Sequence, residues 1–314
     1  MINQVYKIDI IIPTYKPDEK VVMLIQRLLK QTYPINEIHI VDTDTGKSLE
    51  KICALSERVR VSKVIKADFD HGGTRRKAAQ ESVAEILVFM TQDAMPVNDK
   101  MLEELLQPFE NNNIAAAYAR QVADKSCGEI ERYTRAFNYP KESMVKTYED
   151  IERLGVKAFF CSNVCAAYRK SIYDELGGFV KRTIFNEDSI MAARMLKAGY
   201  SVAYAADAKV LHCHNYNCMQ QFKRNFDLAV SQTEHPEVFN EVKSESEGIR
   251  LVKDTAKHLC KIGKPWLVFS LVLKSGFKYM GYLAGKNYQK IPKRLILKCT
   301  SNKDYWREYG KSKE

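Results

Sequence analysis

Residues 86–93 read ILVFMTQD. Five apolar residues without a break, closed by a polar triplet, spell a strand buried on both faces, as in parallel sheets. Asp93 stands just past the carboxyl end of that strand, where a doubly wound sheet opens its ligand crevice. Upstream stretches repeat the pattern. Residues 8–12 (IDIII) end at Pro13, and 37–41 (EIHIV) end at the polar turn Asp42-Thr43-Asp44. Residues 61–66 (VSKVIK) give a further strand. Helical segments are expected at 18–31, where Val22, Ile25, Leu28 and Leu29 share a face, and at 47–57 and 74–84. This alternation predicts an α/β fold with a doubly wound parallel sheet. Three polar clusters should meet at one sheet edge: Thr14-Tyr15, Asp42-Thr43-Asp44 and Gln92-Asp93.

The second half is less regular. Helices are expected at 101–110 and 144–153, and a strand followed by a helix within 159–179. Residues 185–214 read as an acidic loop, a helix closed by Gly199, and one or two strands. Several side chains here suit chemistry. Glu187-Asp188 opens a helix, as a first-turn dipole pair or as a reactive carboxylate pair. His212 and His214 lie two apart at a strand end, so they face one side and suit a metal. Arg75 and Arg76 begin a helix after Gly72-Gly73, where backbone N–H groups and guanidinium can together hold phosphate.

Composition narrows the classes. The 314 residues are 45% hydrophobic and 28% charged, which excludes a mainly disordered chain. The longest apolar stretch, 266–273 with Ser270 inside it, is about eight residues, and a membrane span needs about 20. The start, MINQVYKIDIIIPTYKP, reads as a strand and turn and lacks a signal-peptide pattern. The 8 cysteines, none in a CxxC pair, are therefore expected as reduced thiols. The net charge of +10 is local: from Arg250 onward 16 Lys and Arg stand against 4 Asp and Glu. Along a helix, Lys253, Lys257, Lys261, Lys264, Lys274 and Lys278 fall on one arc. Leu259, Trp266, Phe269, Leu273, Phe277 and Met280 fall opposite, with Pro265 splitting the run into two helices. A basic face opposite an apolar one suits a membrane surface. It also suits packing on the main domain or a homodimer interface. No nucleic-acid-binding motif accompanies the charge.

Taken in order, these segments resemble the inverting family 2 glycosyltransferases, which have the GT-A fold. The carriers are IDIIIPTYKP (8–17), LLKQTYPINEIHIVDTDTG (28–46), DFDHGGTRRKAA (68–79) and LVFMTQDAMP (87–96). RAFNYP (135–140), FFCSNVCAAYRKSIYDELGGF (159–179), FNEDSIMAARMLKAGY (185–200) and VLHCHNY (210–216) add to them. The histidine-glycine-glycine-threonine-arginine run followed by threonine-glutamine-aspartate resembles the rhamnosyltransferase branch. The resemblance spans roughly residues 7–230.

It implies a GT-A domain over 1–235 and a basic, amphipathic helical region over 236–314. It implies that Pro13, Thr14, Tyr15 and Asp42 contact the nucleoside, that Arg75 meets the diphosphate, and that Gln92 and Asp93 lie at the donor. Asp93 matches the last acid of the family's metal-binding motif, whose first acid is replaced by Thr91 here, and Mg²⁺ or Mn²⁺ is the implied cofactor. His212 or His214 supplies another ligand. Asp188 matches the catalytic base, with Glu187 as neighbour or alternate. Phe160, Ser162 and Asn163 line the sugar site or serve as ordinary strand residues. The donor implied is dTDP-β-L-rhamnose, and the acceptor a polyprenyl-diphosphate-linked glycan of a cell-wall polysaccharide, capsule or O-antigen. The protein would then be cytoplasmic, peripheral on the inner face of the plasma membrane. The nearest alternative keeps the chemistry with a UDP-hexose or UDP-N-acetylhexosamine donor. A second alternative is a non-catalytic membrane-surface or glycan-binding module. A nucleotidyltransferase would need a glycine-rich loop that PTYKPDEK (13–20) lacks.

Overall fold

A computed structural model describes the backbone of residues 4–240 and 245–307, and the side chains of all these except 245–247. Strands β1 (Ile8–Tyr15), β2 (Glu37–Thr43), β3 (Val59–Val64) and β4 (Ile86–Met90) pair in parallel in the order β3-β2-β1-β4, as the alternating pattern predicts. All five residues of β4 are fully buried, which is why its sequence is apolar without alternation. Helix Glu19–Leu29 is capped by the Asp18 carboxylate on Lys20 N–H and buries Val21, Leu24, Ile25 and Leu28.

Beyond β4 the expected all-parallel winding gives way to a mixed sheet. Strands β5 (Met95–Pro96), β6 (Ile114–Val122), β7 (Met144–Lys146), β8 (Cys165–Arg169) and β9 (Ser201–Leu211) bring it to nine strands among the described residues. β8 runs antiparallel between β4 and β6, β9 pairs in parallel with β6, and β5 and β7 pair antiparallel with β9. The reversal at β8 has a positional effect: Cys165, its first residue, sits opposite Met90, the last of β4. Residues just before 165 therefore share one sheet edge with residues just after 90, and Thr91 N–H donates to Val164 O at 3.2 Å. Two elements correct the sequence reading. β6 (IAAAYARQV) has no β-branched run, yet it is buried in the sheet, where packing overrides the low strand propensity of alanine. The helix expected over 144–153 is instead strand β7 followed by short helical turns at Tyr148–Asp150 and Ile151–Leu154.

The glycine pair before Arg75 is also reassigned. Helix His71–Glu81 is capped by Asp70, whose carboxylate accepts from Gly72 N–H at 2.9 Å and Gly73 N–H at 2.7 Å. A Cβ at either glycine would come within 3.0 Å of the Val180 or Lys181 carbonyl. The pair thus admits a close backbone approach, and these amides are spent on Asp70 instead of a phosphate.

Two compact units account for the described chain. The first comprises residues up to Asp124, Tyr139–Arg182 and Glu187–His212, and contains the whole sheet. The second comprises Lys125–Asn138, Thr183–Asn186 and Cys213 onward. It contains helices Glu129–Asn138, Cys218–Glu234, Glu245–Lys261, Leu267–Lys286 and Lys293–Cys299. Of the region expected over 236–314, residues 241–244 and 308–314 lie outside the described residues. Its small core gathers Ile184, Phe226, Val230, Tyr288, Ile296 and Trp306.

The expected break near Pro265 is present, with Gly263 in a left-handed conformation (φ 71°) between the two long helices. The break resets the helical phase, so one wheel does not describe both helices. Lys253, Lys257 and Lys261 are exposed, but Lys274 and Lys278 are half-buried, and burial lowers the pKa of Lys278 despite the nearby Glu131 charge. Leu259 is buried, whereas Trp266, Phe269, Leu273 and Met280 face outward. The expectation of reduced thiols is corrected at one pair: Cys127 and Cys213 form a disulfide, with Cα atoms 6.0 Å apart across 86 residues of sequence.

Helix Leu267–Lys286 lies tightly on helix Cys218–Glu234. A Cβ at Gly281 or Gly285 would collide with the Phe222 or Phe226 carbonyl, while one at Gly276 meets nothing within 4 Å. In urea unfolding, Gly281→Ala should therefore destabilise by about 1–3 kcal/mol. Gly276→Ala should stabilise by up to about 1 kcal/mol through helix propensity alone.

Candidate active site

Helix Glu187–Lys197 opens on two adjacent acids, preceded by Asn186 in a left-handed conformation (φ 65°) that asparagine tolerates. Glu187 is buried and Asp188 half-buried. Adjacent carboxylates in such a setting cannot both ionise at low cost, and the surroundings separate them. Arg75, 5% exposed, pairs with Glu187 at 3.2 Å and donates to the His71 carbonyl at 3.0 Å. Asn163 Nδ2 donates to Glu187 at 3.1 Å, and Asn163 N–H donates to Asp188 at 3.1 Å. Asp188 also accepts from Ser189 N–H at 2.7 Å. Tyr168 OH donates to Asn163 Oδ1 at 2.9 Å, which fixes the amide with its NH₂ toward Glu187.

The two acids respond oppositely. Burial raises the Glu187 pKa, but the Arg75 and His71 charges and the Asn163 hydrogen bond outweigh it, and the net shift is downward. Burial and the Glu187 charge push Asp188 up to about 7, against the two backbone N–H donors that lower it. The arrangement yields one resident anion and one carboxylate that exchanges a proton near neutral pH.

At the carboxyl ends of β1, β2 and β4 the expected clusters meet. Thr14 Oγ1 donates to Asp42 Oδ1 at 2.7 Å, with Thr14 opposite Asp42 in the β1–β2 register and Pro13 opposite Val41. Gln92 closes the neighbouring end: its Oε1 accepts from Tyr15 N–H at 2.8 Å and its Nε2 donates to Tyr15 O at 3.2 Å. The Tyr15 ring is exposed and flanked by the Lys16 and Lys66 ammonium groups at 5.4 and 5.7 Å. His212 Nε2 lies 3.6 Å from Asp93 Oδ1. Gln121 accepts from His212 Nδ1 at 2.8 Å while its Nε2 donates to Ser162 at 2.9 Å and to Tyr139. In the neutral ring that orientation leaves Nε2 as the acceptor nitrogen facing Asp93, the tautomer a metal ligand needs. His214 follows two residues on, its ring stacked on Tyr216 at 5.0 Å between centroids.

Asp42 Oδ2, Arg75 Nε and Thr91 Oγ1 are buried polar atoms with no hydrogen-bond partner among the described residues. Each such atom costs about 1–3 kcal/mol unless something binds it. Burial raises the pKa of Asp42, which the Thr14 hydrogen bond opposes.

A glycosyl transferase family 2 profile matches residues 9–177. The chain is 35% identical to the O-antigen chain rhamnosyltransferase RfbN of Salmonella typhimurium, across 98% of this chain and 99% of that one. It is 37% identical to the O-antigen chain rhamnosyltransferase WbaN of Salmonella anatum, across 91% of each. This chain is a family 2 glycosyltransferase. Its fold is GT-A: a mannosyltransferase from Pyrobaculum calidifontis, solved with GDP-Man and Mn²⁺, superposes with a TM-score of 0.63 at 13% identity, covering 92% of this chain and 89% of that one. S. aureus TarS 1-349, solved with UDP-GlcNAc, gives 0.54 at 13% identity, covering 90% and 91%.

Two residues of this glycosyltransferase escaped the sequence reading. Gln121 lies on the unread strand β6, and Tyr168 reads as plain strand core. Asn163 and Ser162, expected to line the sugar site or to serve as ordinary hydrogen-bonded strand residues, make hydrogen bonds within the protein: Asn163 donates to the two carboxylates and Ser162 accepts from Gln121. Asp188 also leaves a stability signature. Its folded pKa lies above the unfolded value, so its stabilising contribution is complete at low pH and is lost as pH rises through about 7. Relative to wild type, Asp188→Asn should therefore gain melting temperature by a few degrees between pH 5 and pH 8. A constant offset across that range would refute the shift.

Proposed function

We propose that this glycosyltransferase moves L-rhamnose from dTDP-β-L-rhamnose to a lipid-linked glycan, inverting the anomeric centre. The observation that carries the mechanism is the Glu187–Asp188 pair, in which one acid is held ionised and the other rests near neutral pH. An acceptor alcohol is a weak nucleophile until it loses its proton. Asp188 takes that proton as the oxygen attacks the anomeric carbon and the nucleoside diphosphate departs from the opposite side. Glu187, paired with Arg75, stays ionised and holds the Asp188 pKa up, which keeps its carboxylate basic enough for the task. Asp42, with Oδ2 unpartnered, accepts from the N–H of a pyrimidine base. Pro13, Thr14 and Tyr15 frame the nucleoside, and Gln92 fixes the Tyr15 backbone. Arg75, whose Nε is unpartnered, is the residue that meets the diphosphate in this reading.

Asp93 and His212 form an oxygen and nitrogen donor set that fits Mg²⁺ or Mn²⁺, with His214 two residues along as a further imidazole. The unpartnered Thr91 Oγ1 stands in the same turn. A bound cation would offset charge on the departing phosphate. The rhamnosyl donor rests on two relatives named O-antigen chain rhamnosyltransferase, each matched over nearly its whole length. An acceptor carried on polyprenyl diphosphate is part of the same proposal. That acceptor would keep the enzyme on the cytoplasmic face of a bilayer through residues 236–314, beside a catalytic domain over 1–235. No helix among the described residues is long and apolar enough to cross a membrane.

The deciding experiment is release of nucleoside diphosphate from a panel of nucleotide sugars with Mg²⁺, Mn²⁺ or EDTA. Selective turnover of dTDP-rhamnose, lost in EDTA, is the expected result; selective turnover of a UDP-sugar would overturn the donor and keep the chemistry. Asp188→Asn should lower transfer by about 10²–10⁴-fold while nucleoside diphosphate still binds. In the wild type, kcat should fall as pH drops below about 7, because the base is then protonated; a flat profile from pH 5 to 8 would remove Asp188 from the role.

A further inference from the structure

Helix Leu267–Lys286 has one packed side and one apolar side that the fold does not use. Leu271, Gly281 and Gly285 are buried, with the two glycines against the Phe222 and Phe226 carbonyls. The other side carries Trp266, Phe269, Val272, Leu273, Met280 and Leu283, all between 43% and 77% exposed. At 100° per residue these six fall within an arc of about 120°, and the stripe runs about 26 Å along the helix. The second unit packs without it, so folding does not explain its apolar character. Exposed apolar stripes of this size mark an interaction surface.

Charge identifies the occupant. Exposed Lys253, Lys257 and Lys261 precede the stripe, and exposed Lys290, Lys293, Arg294 and Lys298 follow it. The stripe itself carries no charge of either sign. Two copies meeting face to face would bring these cationic flanks together, whereas an anionic surface with an apolar interior satisfies flanks and stripe at once.

We infer that this outward stripe lies in the interface of an anionic phospholipid surface, the lysines on either side meeting headgroups. The inference deepens the membrane reading above and changes its geometry: the aromatic arc inserts, and the half-buried Lys274 and Lys278 lie on the opposite, packed side.

The chain supplies its own reporter. Of its two tryptophans, Trp306 is fully buried and Trp266 is 67% exposed on the stripe. Full-length protein is mixed with vesicles of phosphatidylglycerol and phosphatidylethanolamine, or of phosphatidylcholine alone. The expected result is a blue shift of tryptophan emission and co-sedimentation with the anionic vesicles, at least about tenfold weaker with phosphatidylcholine. Phe269→Ser with Leu273→Ser should lose both signals, and Lys274→Ser, on the inner side, should lose neither. Absence of wild-type binding would overturn the inference. So would a wild-type dimer that the Phe269→Ser, Leu273→Ser pair renders monomeric, since the occupant is then a second copy. Donor hydrolysis without vesicles is measured in parallel. It should be equal in wild type and the double variant, and its failure in both would count against the transfer reading and leave the lipid result standing.

Discussion

Two neighbouring carboxylates at one helix start cannot share a proton-poor state unless something distinguishes them. Here the distinction is made by three residues from two other elements. Arg75 gives Glu187 a cation, Asn163 gives each acid a different donor, and Tyr168 prevents the Asn163 amide from turning over. The ordering depends on the antiparallel entry of β8, which brings Asn163, just before the strand, to the edge where the parallel strands end, while Tyr168 sits further along the strand opposite Leu87. Reversing that strand would take the donor away from the acids and leave two like charges in contact.

The residues legible in the sequence are those whose chemistry is local. Asp93 announces itself because it ends an unbroken apolar strand, and Asp42 because a polar turn follows one. The β1–β4 half was readable for the same reason: strict alternation of strand and helix leaves few topologies. What stayed hidden depends on distant partners. β6 is rich in alanine, and its strand state comes from β8 and β9 on either side of it. Gln121 and its hold on His212 were hidden with it. The glycines at 72 and 73 were visible as a signal, but the carbonyls that need them lie more than a hundred residues away. The Cys127–Cys213 link has no spacing pattern to betray it.

The C-terminal helices illustrate a different limit. Periodicity finds an amphipathic helix but does not say which side is inward. Gly281 and Gly285 decide it, because only a side without Cβ atoms can approach the Phe222 and Phe226 carbonyls. Once that side is fixed, Lys278 is carried inward beside Glu131 and the aromatic arc outward. A turn containing Gly263 and Pro265 was enough to break the continuity that a single helical wheel assumes.

The order of strands in the sheet has a consequence for synthesis. β4 leaves the ribosome early, but its second neighbour, β8, is encoded about 80 residues later, and β6 waits for β9 beyond that. A nascent chain that has reached only the early strands presents an apolar, unpaired β4 edge. Such edges recruit other chains. Because these pairings are distant in sequence, closure is slow compared with local helix formation. The exposure lasts several seconds at ordinary elongation rates of about 5–20 residues per second. The protein is thus most vulnerable to aggregation in the interval before β8 arrives, and truncation inside that interval should yield insoluble product instead of a smaller folded domain.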